Sequence, residues 1–417
     1  MKWSAAGLAL AASLLTVHAT GFRLPDQDAF ATARGEAFVA TADNSSAIYY
    51  NPAGLMQLQG QNLRGGFYGI YSDTEYTSPF GASFHNQNDL AAVPQLFYSW
   101  TLDSLPIAFG LGLYSPYGLS SSWDQGTGFR TVATDGQITS YTINPTFAWR
   151  ILPSLSIGAG LKVNYAQLNL AQGLVWPYQA FDQFKFSGNN WAPGYDVGAL
   201  WKPIEQLSFG ATFRSQTSFD FHGRTEYNNL FPFPPGGGAV PAFPMQNVDS
   251  SANFNFPLDV AFGVSYRPNT NWNFEFDADY TDWSCLGTVT VRQQHGVPGL
   301  LPADVPLVLN WEGSWYFEFG ATRYLGKGWS VSAGYIFNQN SVPDAHYTPL
   351  VADLDRHFLS VGTGYRGEHF SFDVAYQFGI GPTRTVSGSA PSVIGQTADG
   401  DYKFLSHAVM VSLGYHF

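Results

Sequence analysis

The chain has 417 residues and a formal net charge of −12; 12% of its side chains are charged and 17% are aromatic. An ordinary soluble domain carries roughly 25% charged residues, so this surface is not expected to face water everywhere, and the acidic balance excludes nucleic acid as a natural partner. A single cysteine, Cys285, rules out an intrachain disulfide, a thiolate metal site and a dithiol redox motif, and neither a metal nor a cofactor is expected.

Residues 1–19 read as a secretory signal peptide. Lys2 supplies the positive start, Ala5 to Val17 an apolar run, and Val17-His18-Ala19 a small-residue cleavage site. That run is shorter than the about 20 apolar residues a membrane-spanning helix needs, and no later run reaches that length. A helical membrane protein is therefore excluded, whereas a transmembrane β-barrel reconciles few charges with many aromatics, because lipid-facing apolar residues alternate with lumenal polar ones.

Residues 20–58 differ from everything after them. Ala29, Ala31, Ala33, Ala37, Ala40, Ala42 and Ala47 favour short helical turns. Pro52 pushes Asn51 out of the helical region and ends one of them. This segment is expected to form a compact plug, and residues 59–417 the barrel.

From Gln61 onward strand-length pieces alternate apolar with small or polar residues. Trp272, Phe274, Phe276, Ala278 and Tyr280 alternate with Asn273, Glu275, Asp277 and Asp279; Phe370 to Phe378 does the same. Period two over such lengths means a strand with one apolar face. Short turns at Asp103–Pro106, Leu152–Ser154, Lys202–Glu205, Arg267–Asn271, Gly326–Gly328 and Arg366–His369 alternate with longer polar or Gly/Pro-rich connections around 73–90, 118–137, 171–191, 218–253, 284–309, 340–356 and 381–401. Six turns and seven loops join fourteen antiparallel strands, and the even count leaves the plug and the carboxy terminus on the periplasmic side. The last strand ends on Phe417, an aromatic ending that resembles the assembly signal of outer-membrane barrels.

The ordered set Gly21-Phe22, Asn51-Pro52-Ala53, Ser115-Pro116-Tyr117-Gly118, Ile143-Asn144-Pro145, Tyr280-Thr281-Asp282-Trp283-Ser284, Val342-Pro343-Asp344 and Asp353-Leu354-Asp355-Arg356-His357 resembles the FadL-like long-chain fatty acid transporters of Gram-negative outer membranes, which include aromatic-hydrocarbon channels. The resemblance implies a fourteen-stranded barrel closed by an amino-terminal hatch, a hydrophobic groove among the outer loops, and a lumenal pocket reached by Phe22. It also implies an inward kink of the third strand that opens a gap in the wall for sideways exit. The implied function is uptake of hydrophobic compounds, either long-chain fatty acids or neutral aromatic and aliphatic hydrocarbons. The expected partners are those molecules, with outer-membrane lipid and lipopolysaccharide around a monomeric barrel.

Each candidate site has a plainer reading beside it. Asn51, Pro52 and Ala53 either lie beside the wall gap or only terminate a plug helix. Gly110 and Gly112, with Pro116, mark the kink expected of the third strand, since glycine in a strand signals a bend or a close approach. Pro145, inside a strand, requires either a free neighbouring carbonyl or a bulge, and a bulge is expected. Lys162, Arg214 and Arg323 occupy or adjoin inward registers and suit a fatty-acid carboxylate. The inward acids Asp259, Glu275, Asp277, Asp279, Glu318 and Asp373 explain the same cations as an ion-pair network, and that is the expectation for most of them. Trp176 and Phe181, with Phe184 and Phe186, and Phe231 with Phe233, give the outer loops an apolar groove; packing of the loops on each other is the alternative. Asp220/His222 and Asp344/His346 are conceivable acid/base pairs for an outer-membrane lipid hydrolase, but no nucleophile motif accompanies them and no enzyme is expected. A general diffusion porin is disfavoured by the plug.

Overall fold

A computed structural model describes residues 21–87, 90–174, 183–229, 243–296, 302–392 and 395–417. Residues 1–19 and the loop residues Trp176, Phe181, Phe231 and Phe233 lie outside the described residues.

The wall is a closed antiparallel barrel of fourteen strands. In chain order these are Gln61–Thr77, Leu90–Thr101, a third strand broken into Ile107–Tyr114 and Gly118–Ser122, Asp135–Leu152, Leu155–Gly173, Gln183–Ile204, a seventh of Leu207–Arg214 and Thr217–Asn229, an eighth of Phe243–Phe256 and Asp259–Asn269, a ninth of Trp272–Thr281 and Thr288–Gln293, a tenth of Asp304–Val308 and Ser314–Gly326, then Trp329–Asn338, Arg356–Arg366, Phe370–Val386 and Gly400–His416. Closure comes from pairing the first strand with the last, Asn62 opposite His416 through Thr77 opposite Asp401, which removes the free edges an open sheet would expose.

Side chains follow the pleat. On the fifth strand Ile157, Leu161 and Val163 point outward while Lys162 and Asn164 are buried within. Trp100, Trp149, Trp201 and Trp329 stand exposed beside the short turns, as an interfacial girdle would. Trp191 and Trp201, both exposed on the sixth strand, are about 33 Å apart along it at 3.3 Å per residue. A tilt of about 40° reduces that to about 25 Å, the height of an outer-membrane apolar band.

Two of the expected long loops are largely strand. Gln183–Ile204, Thr217–Asn229 and Phe243–Phe256 continue the ladder outward, and Phe184 and Phe186, assigned from sequence to a loop groove, are buried inside the barrel. The outward positions there, such as Lys185 and Ser187, are no longer apolar. An apolar-face criterion therefore stops at the membrane edge, although backbone pairing does not.

Residues 21–58 lie within the ring of strands. Asp28 caps the helix Ala29–Ala33 through the N–H groups of Phe30 and Ala31. The same carboxylate pairs with Arg64, which also reaches Asp373 at 2.6 Å, and Arg34 pairs with Glu275 at 3.0 Å. The turn at Phe38–Thr41 has no backbone partners of its own for four N–H groups. Asp277 accepts from Phe38 and Val39 at 2.7 and 2.8 Å, and Glu275 from Ala40 and Thr41 at 2.7 and 3.1 Å. Glu275 and Asp277 of the ninth strand thus serve as acceptors for the plug backbone, a role beside the ion pair of Glu275 with Arg34.

Candidate functional site

The third strand leaves the wall where its sequence breaks. Up to Tyr114 it pairs on both sides, Leu113 opposite Leu96 of the second strand and Ile143 of the fourth. Ser115–Tyr117 interrupt it, and Gly118–Ser122 then pair with the fourth strand alone. Leu90–Gln95 of the second strand pair only with the first. Above, Gln87 N–H donates to the Ser122 carbonyl at 2.8 Å, so the interruption is a bounded window in the ladder.

The kinked segment takes its partner from the amino-terminal residues. Leu24 N–H donates to Pro116 O and Gly118 N–H to Phe22 O, both at 2.8 Å, with Arg23 opposite Tyr117 in an antiparallel bridge. Gln27 Nε2 donates to Ser115 O at 3.0 Å. Leu24 packs with Ala91 and Val93, inward residues of the second strand at the window.

Phe22 is fully buried among aromatic rings: Trp283 at 4.8 Å between centroids, Phe256 at 5.2 Å, Phe254 at 5.5 Å and Tyr117 at 5.8 Å. On its outer side lies a cavity of about 520 Å³, lined by Leu119, Ile138, Leu168, Phe184, Val305 and Trp311 among others, together with His346 and Tyr347. No lysine or arginine lines it among the described residues.

The predicted cations are placed elsewhere. On the periplasmic side of Phe22, Arg214 is committed to Asp259 and to the carbonyls of Tyr49 and Tyr50. Arg23 binds Asp279 at 2.6 Å and Asp259 at 3.3 Å. Lys162 is buried on the fifth strand but does not line the cavity. Arg323 faces out of the barrel: it is exposed, stacked over Trp272 at 5.2 Å, because its register places Thr322 inside instead. Arg23, Trp283, Trp311 and Tyr347 were not singled out as site residues. The Asp282-Trp283-Ser284 motif was the one signal that pointed among them.

Gly110 and Gly112 lie below the window, in the part of the third strand paired on both sides. A side chain on Gly110 would come within 2.8 Å of Ile48 and 3.0 Å of Leu55, so these glycines let the plug approach the wall. Asn51 caps the short helix Pro52–Gln57 by accepting from Ala53 N–H at 3.2 Å, and donates to Val39 O and to Ala199 O of the sixth strand at 2.8 and 3.0 Å. The Asn51-Pro52-Ala53 turn therefore packs on the fifth and sixth strands, where Gly158 and Gly198 make room for it, and not beside the window. Pro145 causes no bulge. Ile143 opposite Val163 and Thr146 opposite Gly160 keep one register, and Asn144 Nδ2 donates to the Leu161 carbonyl at 3.1 Å in place of a backbone N–H.

Neither conceivable acid/base pair is assembled for chemistry. Asp344 is held by Arg384 at 2.6 Å while His346 Nε2 faces Asn310 Nδ2 at 3.1 Å. Asp220 and His222 are 3.7 Å apart and exposed.

The model of a family described as outer membrane protein transport protein (OMPP1/FadL/TodX) matches residues 9–417. The long-chain fatty acid transport protein of Escherichia coli K12 is 22% identical over 89% of this chain and 90% of its own length. Among solved structures, a Pseudomonas aeruginosa FadL homologue superposes with a TM-score of 0.82 at 20% identity, over 95% of this chain and 99% of its own. The Ralstonia pickettii toluene transporter TbuX does so with a TM-score of 0.71 at 17% identity, over 94% and 98%. A family match over nearly the whole chain, on a closed fourteen-stranded barrel with its amino-terminal segment folded inside, shows that this protein belongs to the OMPP1/FadL/TodX family of outer-membrane transport proteins.

Proposed function

We propose that the chain imports hydrophobic small molecules by holding them in the cavity above Phe22 and releasing them sideways through the window between the second and third strands. The observation that carries this reading is that Phe22 borders the cavity while Phe22–Leu24 pair with the kinked Pro116–Gly118. A small displacement of the amino terminus would then join cavity to window. Expelling the whole plug would instead break its buried ion pairs, at several kcal/mol each by rough reckoning. An apolar route also keeps the solute out of water, at about 25 cal/mol per Å² of apolar surface.

In this reading the outer loops bearing Trp176, Phe181, Phe231 and Phe233 form the capture groove, Pro116 borders the exit, and a single barrel works in outer-membrane lipid and lipopolysaccharide. Long-chain fatty acids, named for the Escherichia coli relative, and neutral hydrocarbons such as the toluene named for TbuX both suit the cavity by size and polarity. The lack of a lining cation among the described residues favours the neutral class.

Two variants test the route. Ser45 Oγ lies 2.9 Å from Ser99 Oγ, so Ser45→Cys with Ser99→Cys, in a Cys285→Ser background, should tether the plug to the wall. Ala91→Trp with Val93→Trp should fill the window. Toluene uptake by cells should survive the tether and be lost with the filled window; the opposite pattern would mean passage straight down the barrel.

A further inference from the structure

The cavity is apolar, but it is not without polar atoms. Three of its lining residues, Trp311, His346 and Tyr347, carry buried polar atoms with no hydrogen-bond partner: Nε1, Nδ1 and Oη. Trp311 and Tyr347 are 4% and 3% exposed, so water does not satisfy them at the surface. A buried polar group left unpaired costs about 1–3 kcal/mol, and three around one cavity call for an explanation.

All three atoms are donors. An indole N–H can do nothing else. Burial pushes the Tyr347 phenol up, against the nearby Arg384, so its hydroxyl keeps its proton. For His346, the amide nitrogen of Asn310 has only protons to offer Nε2 at 3.1 Å. With that amide donating to Nε2, the ring hydrogen sits on Nδ1.

Three donors without an acceptor match a ligand oxygen that only accepts. A carboxylate is one such group, but it would bring a full charge into a cavity with no lysine or arginine in its described lining. The loop segments 175–182, 230–242, 297–301 and 393–394 contain no basic residue. Arg384 is held by Asp344, Asn340 and the carbonyls of Val342 and Asp353. Arg356 has two unpartnered nitrogens, but it stacks over Phe404 at 4.1 Å and does not line the cavity. A pure hydrocarbon would leave all three donors unpaired.

We propose that Trp311, His346 and Tyr347 form a neutral donor cluster that selects hydrophobic molecules bearing one uncharged oxygen acceptor, such as ketones or esters, over carboxylates and plain hydrocarbons. This rests on the cavity being the transport site.

The test is a binding titration of the purified full-length protein at pH 8, with toluene, acetophenone and benzoate as probes. The wild type should bind acetophenone about tenfold more tightly than toluene, and benzoate least. Trp311→Phe combined with Tyr347→Phe should weaken acetophenone by about tenfold, two hydrogen bonds' worth, and change toluene by less than twofold. Equal loss for both probes, no loss for acetophenone, or benzoate binding as tightly as acetophenone would overturn the donor cluster while leaving the cavity as a binding site. If wild type binds none of the three, the reading of the cavity as transport site fails too. A His346→Gln variant, which retains an amide donor, should keep the preference for acetophenone over toluene; losing it while Trp311 and Tyr347 remain intact would assign the selectivity to histidine alone and refute the cluster.

Discussion

Gly118 donates its backbone N–H to the carbonyl of Phe22 at 2.8 Å, and that bond couples a residue of the cavity to the kinked third strand. The pairing is short, spanning Phe22 to Leu24 on one side and Pro116 to Gly118 on the other. It is the natural place for a reversible opening.

Locking that pairing should stop transport. Leu24 donates its N–H to the Pro116 carbonyl at 2.8 Å, next to the antiparallel Arg23–Tyr117 bridge. Directly paired residues of antiparallel strands have Cα atoms about 5.5 Å apart, a separation a disulfide spans. In a Cys285→Ser background, Leu24→Cys with Pro116→Cys should cut toluene uptake at least tenfold until a reductant is added. Full uptake by the oxidised protein would show that the amino terminus need not move.

Phe22 also separates the apolar cavity from the charged layer of Arg23, Arg214, Asp259 and Asp279. Phe22→Ala removes a fully buried ring and should cost about 3–5 kcal/mol. A lowered thermal midpoint and a raised ionic leak in planar bilayers are the expected results. Unchanged conductance would mean that other rings keep the seal.

Asp43 fastens the far end of the plug to two periplasmic turns, at 3.0 Å from Arg267 and 3.2 Å from Arg366. Burial opposes its ionisation, but the two guanidinium groups prevail and hold its carboxyl well below the usual range. Its folded value lies below its unfolded value, so its contribution is present above about pH 4 and is lost as the pH falls further. Because both arginines are about a third exposed, Asp43→Asn should loosen the plug by only about 1–2 kcal/mol. Faster hydrogen exchange in the plug at pH 7, with a smaller difference at pH 3, would establish this.

Asp26 behaves in the opposite sense. Burial raises its carboxyl to about 6, although Gln377 donates to it at 3.1 Å. Nearby, Glu36 is raised by burial and by Asp26 itself, while accepting from Tyr50 at 2.5 Å. A raised folded value means stability is gained on protonation, in full below about pH 4 and lost as the pH rises through 6. Plug amides, corrected for intrinsic rates, should therefore exchange more slowly at pH 5 than at pH 7.5. Asp26→Asn should flatten that dependence.

The barrel was legible because lipid enforces alternation over every spanning stretch, as Trp272 to Tyr280 show. The outer hairpins were not, since beyond the membrane only backbone pairing defines them, and Phe184 and Phe186 read as loop. Arg323 was misplaced by one position of register near a turn, where a single residue reverses the face. Pro145 is the subtler case. A bulge is the general answer to a strand proline, but the side chain of its own neighbour Asn144 supplies the missing donor, which no periodicity could reveal. Trp311 and Tyr347 escaped notice, and His346 was read only as half of an acid/base pair, because the break in the tenth strand and the connection after the eleventh meet only in the closed barrel.

The carboxylates that receive the plug's backbone carry one more consequence, for the order of biogenesis. The N–H groups of Phe38 to Thr41 find their acceptors on Glu275 and Asp277, and Glu275 comes 235 positions after Ala40 in the chain. The segment that leaves the ribosome early thus lacks its hydrogen-bond partners until the ninth strand has been made and placed. The plug turn cannot complete its hydrogen bonding on its own, and its final shape is set only once that strand is beside it.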